Sequence, residues 1–590
     1  MKKIAIIGAG PYGLIALERL IKQAPADEET NILLFDPLGP GGEVWRSEQS
    51  SQVIMNTVMQ HVTVFAEDQG PNLAEWSRNY AKDYLTTIGV PSSSDLFAET
   101  NLGKNEYCQR RYYGIYQQWF YQELVKNLPT HITVSLIKEY VDDLTLETNQ
   151  IILSAGKPYV VTDLILATGH GGNFLSSTEE ENQQFANAHK LFYQGPINPA
   201  DTPLEVIKNN ETVILRGLGL SFYDYIGLFV DKWGGAFSEV DSHLTYQKTG
   251  KENTLVVGSG RGLPYHTRPK NQKDAGEDAE PKILTKKFME VFGGSAEELI
   301  DLLKKEAELV YYQHQLVNSP IREAFLRDYQ LGDRQKVLTK YQILVADQFD
   351  WEKLFDPAKD ITPQDFPSFI KTYLANDIAE AEQGNRNGAI AAALDTYKEL
   401  QEPFNYMLDH EKFKPKEYFE DFFGNFNRNY SFLTIGAPVI RQKQLLALAE
   451  AGIIEFLAPN MKVEKEKGQF RTYSKQLPER QFSASYLIEA RLPATSFKRT
   501  KNKLLIQMRK KGYLKAHGVF YDGEFHETGA LQVKRETHQV IDKNGQVLPH
   551  VFCYGIPLEG LDWLNAASPR PKSHDRVFQL AEQIASNLFI

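Results

Sequence analysis

A chain of 590 residues with 42% apolar content is long enough for several packed cores. Its net charge of −11 argues against nucleic-acid partners, which need basic surface, and no apolar run is long enough to span a membrane. The two cysteines, Cys108 and Cys553, lie far apart and outside any C-x-x-C spacing, which excludes a disulfide scaffold and a dithiol reductase. With Met1 opening directly on an apolar strand, the expected setting is a reducing cytoplasm.

Lys3–Ile7 reads as a buried strand, followed at once by Gly8-Ala9-Gly10-Pro11-Tyr12-Gly13. Leu14 to Ile21 then reads as a helix, and Asn31 to Phe35 as a second strand that ends in Asp36. This is the G-x-G-x-x-G loop in its strand–loop–helix–strand–acid setting. Gly8 permits the tight turn, Gly10 lets a pyrophosphate approach the backbone, and Gly13 lets helix and strand pack. Pro11 and Tyr12 complete the loop, and the helix N-terminus favours the phosphates. Asp36, about twenty residues past the last glycine, is placed to take ribose hydroxyls. By fold-level analogy, a unit of this kind at the head of such a chain is the FAD half of a flavoprotein.

Tyr159 to Leu166 predicts another apolar strand, ending in Ala167-Thr168-Gly169-His170. A second dinucleotide signal follows. The strand Thr212–Arg216 runs into Gly217-Leu218-Gly219-Leu220-Ser221, with Phe222 in place of the third glycine, and then a helical stretch from Tyr225 to Val230. Thr254–Val257 predicts a further strand. The loop Gly258 to Arg268 after it has two readings: a wall of the NAD(P)H pocket with Arg261 and Arg268 toward a 2′-phosphate, or a solvated loop with incidental charge. Residues 270–281 read as a polar linker, and 282 to about 423 as helical.

Strands are expected again after about 430, beginning at Ser431-Phe432-Leu433. A helix from Lys443 to Ala451 ends at Gly452, and Ile453–Leu457 follows as a strand. Tyr486–Pro493 sits where a second strand-and-turn like Ile165–Gly169 is expected, and Asn544-Gly545 reads as a hairpin turn. The strand Val551 to Gly555, the segment to Gly560, and a helix from Asp575 to Leu588 close the chain. The fold class is therefore α/β, with two Rossmann-type dinucleotide-binding domains, for FAD and NAD(P)H, and a helical insertion. Residues 1–200 and 481–590 are assigned to the FAD domain, 205–280 and 429–480 to the NAD(P)H domain, and 281–428 to the insertion.

On the Gly8–Gly13 loop, Met55-Asn56-Thr57, Ala167-Thr168-Gly169, Ser259 to Arg268 and Tyr554 to Gly560, the chain resembles the large bacterial FAD/NAD(P)-binding protein family. Some members of that family are amino-acid N-oxygenases, including enzymes that oxidise aspartate to nitrosuccinate. More distantly it is similar to flavin-containing and N-hydroxylating monooxygenases. Gly41-Gly42-Glu43-Val44-Trp45 followed by Asn56 and Thr57 resembles their Gly-Gly-x-Trp segment and flavin-side Asn, with one extra residue before the Trp. No Baeyer–Villiger fingerprint is present. Ile556 follows Gly555 where that family has Gly-Asp, so other groups must meet the ribityl phosphate.

The resemblance implies an NAD(P)H-dependent flavoprotein oxidoreductase: nicotinamide at Gly217, Gly219 and Ser221, and FAD at Gly8, Gly10, Gly13, Asp36, Thr168, Gly169, Gly555 and Gly560. Asn56 would hydrogen-bond at the flavin–nicotinamide junction, and Trp45 either packs on the flavin or is a core aromatic. A monooxygenase working through a flavin hydroperoxide on a small, amino-acid-like molecule is the leading expectation. An NAD(P)H oxidase or electron-transfer reductase, and a nucleotide-binding sensor or scaffold, remain as rivals. No metal-ligand spacing, nucleophile elbow or Walker loop occurs. His170, His266 and His574 read as loop histidines rather than catalytic bases, and no sequence feature specifies an oligomer.

Overall fold

A computed structural model describes residues 1–66, 69–241 and 243–589. Two parallel sheets organise it. In the first, Lys2–Ile7 lies between Thr30–Phe35 and Asp163–Leu166, all parallel. Ile132–Ile137 extends it on one side, and Val547–Cys553 with the antiparallel Gln539–Ile541 on the other. Ile4, Ile6, Leu34, Ile165 and Phe552 are buried, as expected for a sheet covered on both faces. The helix Pro11–Gln23 packs against the C-terminal helix Arg576–Leu588, so the two ends of the chain share one unit.

The second sheet has the order Ile454–Phe456, Thr254–Gly258, Thr212–Arg216, Tyr486–Glu489, Phe192–Gln194, again parallel. Two strands thus join this sheet from stretches assigned in sequence to the other unit: Phe192–Gln194 and Tyr486–Glu489. Ser431-Phe432-Leu433, expected as a strand, lies in the helix Asn427–Thr434. That helix continues the helical run Glu417–Phe426, with Tyr430 in that region's core and Phe432 and Leu433 in the core of the second sheet.

The helical region between 286 and 434 closes around Leu303, Tyr312, Phe325, Tyr397, Phe404 and Phe426. Trp563, from the C-terminal segment, is buried in the same core and donates from Nε1 to Asn427 Oδ1 at 2.9 Å. Tyr418 donates to the Gly560 carbonyl at 2.6 Å. The insertion is therefore clamped onto the first unit as well as the second. Among the described residues, no helix is long and apolar enough to cross a membrane.

Candidate functional site

The first loop is built by close approach. Gly8 has φ +108°, and a Cβ there would strike the Ala167 carbonyl; a Cβ on Gly13 would strike the Gly8 carbonyl. Gly10, by contrast, faces open space, with nothing within 4 Å of a Cβ position. It starts the helix at Pro11 with no side-chain cap, which leaves the N-terminal N–H groups of that helix, Tyr12 and Gly13 included, available to an anion. Asp36 Oδ2 accepts from Ala9 N at 2.9 Å, while Oδ1 accepts from Leu38 N at 2.9 Å and Gly39 N at 3.1 Å. Burial raises its carboxyl pKa, against the pull of those three N–H groups. Asp36 thus ties the loop to the turn after the second strand, and each oxygen retains capacity for a ribose hydroxyl.

The same construction recurs in the second sheet. Gly217 has φ +126°, and a Cβ there would lie 2.7 Å from the Ala490 carbonyl, as Gly8 does against Ala167. The degenerate segment after Tyr486–Glu489 is thus the counterpart of Ala167-Thr168-Gly169. Gly219 caps the helix Leu220–Trp233 without a side-chain bond, and Ser221 is buried in its first turn. Unlike Gly10, Gly219 is covered: the Tyr265 ring lies 3.4 Å from its Cβ position.

Around the first loop, Thr168 Oγ1 and Asn565 Nδ2 are buried without hydrogen-bond partners. Thr168 precedes a cleft lined by Gly169, His170, Thr495, Gly529 and Ile556. Gly555, with φ +88°, sits against the Tyr12 ring, and Tyr12 Oη donates to the Asn565 carbonyl at 2.9 Å. Glu559 accepts from Asn565 N at 2.8 Å, and burial pushes its carboxyl up to about 7. Gly560, also at positive φ, packs on Thr528. Open space at Gly10, the uncapped helix and the orphaned Thr168 and Asn565 atoms fit a bound dinucleotide. Asn565 carries no motif and was not legible in sequence, and Glu559, inside the Tyr554–Gly560 stretch, has no role in the sequence reading.

Trp45 is half-buried, edge-on to Tyr113 with centroids 4.8 Å apart, and its carbonyl fills the space a side chain at Gly114 would need. Asn56 and Thr57 are half-buried in an extended segment held by Met55 N to Cys108 O at 2.8 Å. They lead into Val58 and His61, which line a cavity.

That cavity holds the largest departure from the sequence reading. Arg268 lines it with His61, Tyr107, His266 and Lys398, from both units and the insertion. Neither arginine is in a solvated loop. His266 N bonds Phe432 O and Arg268 N bonds Ala437 O, both at 2.9 Å, and only glycine fits at 436 against the His266 carbonyl. Arg261 lies over Phe432 and donates to Phe355 O at 2.7 Å and Asn429 Oδ1 at 2.8 Å, anchoring the loop to the insertion. Arg268 has only a 3.5 Å contact to Thr434 O, its buried Nε has no partner, and burial lowers its pKa. Asp395 and Glu380 line the same cavity, but neither forms an ion pair with the Arg268 guanidinium among the described residues.

Residues 5–171 match the FAD-NAD(P)-binding family. The chain is 32% identical to nitrosuccinic acid synthase npaA of Aspergillus oryzae, over 96% of this chain and 90% of that protein. It is 32% identical to an L-aspartate N-monooxygenase (nitrosuccinate-forming) of Streptomyces cremeus, over 99% of this chain and 94% of that protein. An ornithine hydroxylase from Pseudomonas aeruginosa aligns over 100% of this chain and 98% of its own, at 10% identity and a TM-score of 0.43, a likeness on which nothing further rests. The chain belongs to the FAD-NAD(P)-binding flavoprotein family that includes nitrosuccinic acid synthase npaA and the nitrosuccinate-forming L-aspartate N-monooxygenases.

Proposed function

We propose that this protein is an NAD(P)H-dependent flavin monooxygenase that oxygenates the amino nitrogen of a small carboxylate-bearing amino acid, with L-aspartate the first candidate. The observation that carries the reading is Arg268: a guanidinium with an orphaned buried Nε that lines a cavity and, among the described residues, forms no ion pair there, although Asp395 and Glu380 line the same cavity. A buried cation of this kind is completed by a substrate anion, and arginine matches a carboxylate in two-point geometry. The relatives' activity on aspartate agrees with that chemistry.

FAD, reduced by NAD(P)H, supplies the activation of O₂ when bound. The chain's own residues do the rest. Gly10 and the uncapped helix N-terminus hold the pyrophosphate, and Asp36 fixes the loop that carries them. Asn56 and Thr57 directly precede Val58, which lines the cavity with His61. Arg268 orients the substrate by its carboxylate, and the insertion excludes water from the opposite side through Leu394 and Ile390.

The test is anaerobic reduction of the purified yellow protein by NADPH or NADH, followed by ¹⁸O₂ with L-aspartate. Product carrying ¹⁸O on nitrogen is the expected result. Flavin that is reduced and reoxidised with only peroxide formed, whatever acidic amino acid is present, would instead establish an NAD(P)H oxidase.

A further inference from the structure

The Arg268 cavity has a second wall group that the proposed chemistry needs, a histidine that reads in sequence as a loop residue. N-oxygenation requires an unprotonated amine, so the substrate ammonium must lose a proton inside a site that excludes water. His266 lines the cavity, and its Nδ1 is in ion-pair contact with Asp377 Oδ1. Asp377 is itself locked. Its Oδ2 accepts from Thr267 N at 2.8 Å, from Thr267 Oγ1, and from Gln442 Nε2 at 3.3 Å. Gln442 is in turn bonded by Tyr223. With Nδ1 against the Asp377 carboxylate, the ring proton is assigned to Nδ1 and the lone pair to His266 Nε2.

Resting on the functional reading above, we infer that His266 is the base that takes the proton from the substrate's ammonium group, with Asp377 as its positioning residue. Arg268 stands two residues away in the same extended segment, which bridges to Pro438. Two residues of extended chain span about 6.6 Å, the scale of a small amino acid held by its carboxylate at one end and its nitrogen at the other. In the step, an N–H bond of the ammonium breaks, its electron pair stays on nitrogen, and the proton bonds to Nε2. The imidazolium charge is balanced by Asp377. O₂ and NAD(P)H, through the flavin, supply the oxygen atom and the electrons.

The other groups facing His266 serve this task poorly. Burial, then Arg570 and Lys398, bring His61 down to about 3, too weak a base. Burial raises the Tyr107 hydroxyl, which stays protonated. Lys398 is bonded to Asp395, whose burial is outweighed by Lys398 and Lys273, so that its carboxyl lies below the carboxylate range. For His266, burial disfavours the charged ring, but Asp377 outweighs it and Glu380 adds to it, which raises its pKa toward that of an amine. Tyr223 and Tyr373 also face Asp377, both neutral.

The experiment compares the full-length holoenzyme with His266→Gln and Asp377→Asn. Product formation from L-aspartate and NAD(P)H oxidation are followed across pH, with FAD content and anaerobic flavin reduction as controls. The wild type should lose kcat/KM tenfold per pH unit below an acid limb. His266→Gln should keep FAD content and flavin reduction, lose product formation by about 10²–10⁴-fold, release peroxide instead, lose the limb, and regain product with added imidazole. Asp377→Asn should move the limb to lower pH. An acid limb that persists in His266→Gln would assign the proton to Glu380 or solvent and overturn the proposal. So would an effect confined to KM with activity lost on the alkaline side, the signature of an imidazolium that binds anions. A wild type that reduces its flavin but makes no product at any pH sinks the functional reading itself, and this inference with it. A wild type that makes product while the variants behave alike sinks only the base.

Discussion

Asp36 Oδ2 lies 2.9 Å from the Ala9 amide, so the acid that closes the first βαβ unit holds the shape of the loop that opens it. Its other oxygen collects the Leu38 and Gly39 amides. Asp36→Ala strands three N–H groups and should cost about 3 kcal/mol, at roughly 1 kcal/mol for each hydrogen bond. Urea unfolding of the FAD-free protein measures this. The same variant should retain little FAD. Full FAD content in a destabilised variant would mean that Asp36 shapes the loop and takes no ribose.

Gly10 and Gly13 separate cofactor space from packing space. Gly10 has ordinary φ and nothing near its Cβ position. Gly10→Ala should therefore unfold at the wild-type midpoint and bind FAD at least about tenfold more weakly, one obstructed contact being worth about 1.4 kcal/mol. Gly13→Ala forces a methyl into the Gly8 carbonyl and should lose about 1–3 kcal/mol of stability even without FAD. The pair of measurements, flavin fluorescence titration and unfolding, should give opposite patterns. Equal losses in both variants would refute this division.

These glycines were legible because their constraint is local: strand, turn and helix follow each other within thirteen residues. The second loop was readable for the same reason, despite Phe222. Tyr486–Pro493 is expected as the counterpart of Ile165–Gly169, and the pairing of Glu489 with Arg216 agrees with it. The loop holding His266 and Arg268 leaves two readings open, a pocket wall or a solvated loop, because everything that buries it is remote in sequence. Asp377 comes from the insertion, Gly436 from beyond it, and His61 from the first unit. Ser431–Leu433 failed for the opposite reason. A short apolar run suits strand or helix, and here it continues a helix whose Phe432 and Leu433 pack into the core of the second sheet.

His61 predicts a pH dependence of stability. Burial, with Arg570 and Lys398 nearby, lowers its pKa from 6.5 to about 3. Between those values the unfolded chain holds a proton that the folded chain lacks. Stability from this group is thus complete above pH 6.5 and falls as pH drops toward 3. Urea midpoints measured from pH 7.5 to 4.5 should decline in the wild type and decline less in His61→Gln. Parallel curves for the two proteins would show that His61 is protonated in the folded state.

Arg268 gives the sharpest separation of binding from redox chemistry. It contributes nothing to the Gly8–Gly13 or Gly217–Ser221 loops, so Arg268→Gln should reduce its flavin with NAD(P)H as fast as the wild type. It should bind a carboxylate substrate far more weakly, because a buried charge pair that loses one partner costs about 2–5 kcal/mol, which is about 30-fold or more. The loss should appear in kcat/KM for L-aspartate and in the fraction of NAD(P)H converted to product, with the remainder leaving as peroxide. Arg268→Lys keeps the charge but not the two-point geometry and should fall between. Because no ion pair among the described residues joins the Arg268 guanidinium to a carboxylate, and Asp395 nearby is held by Lys398 and Lys273, its removal breaks no ion pair. Stability should therefore stay level or rise slightly, which distinguishes a substrate-binding cation from a structural one. A large drop in unfolding midpoint, with kcat/KM unchanged in the fraction that remains folded, would place Arg268 in the packing of the insertion and remove it from the site.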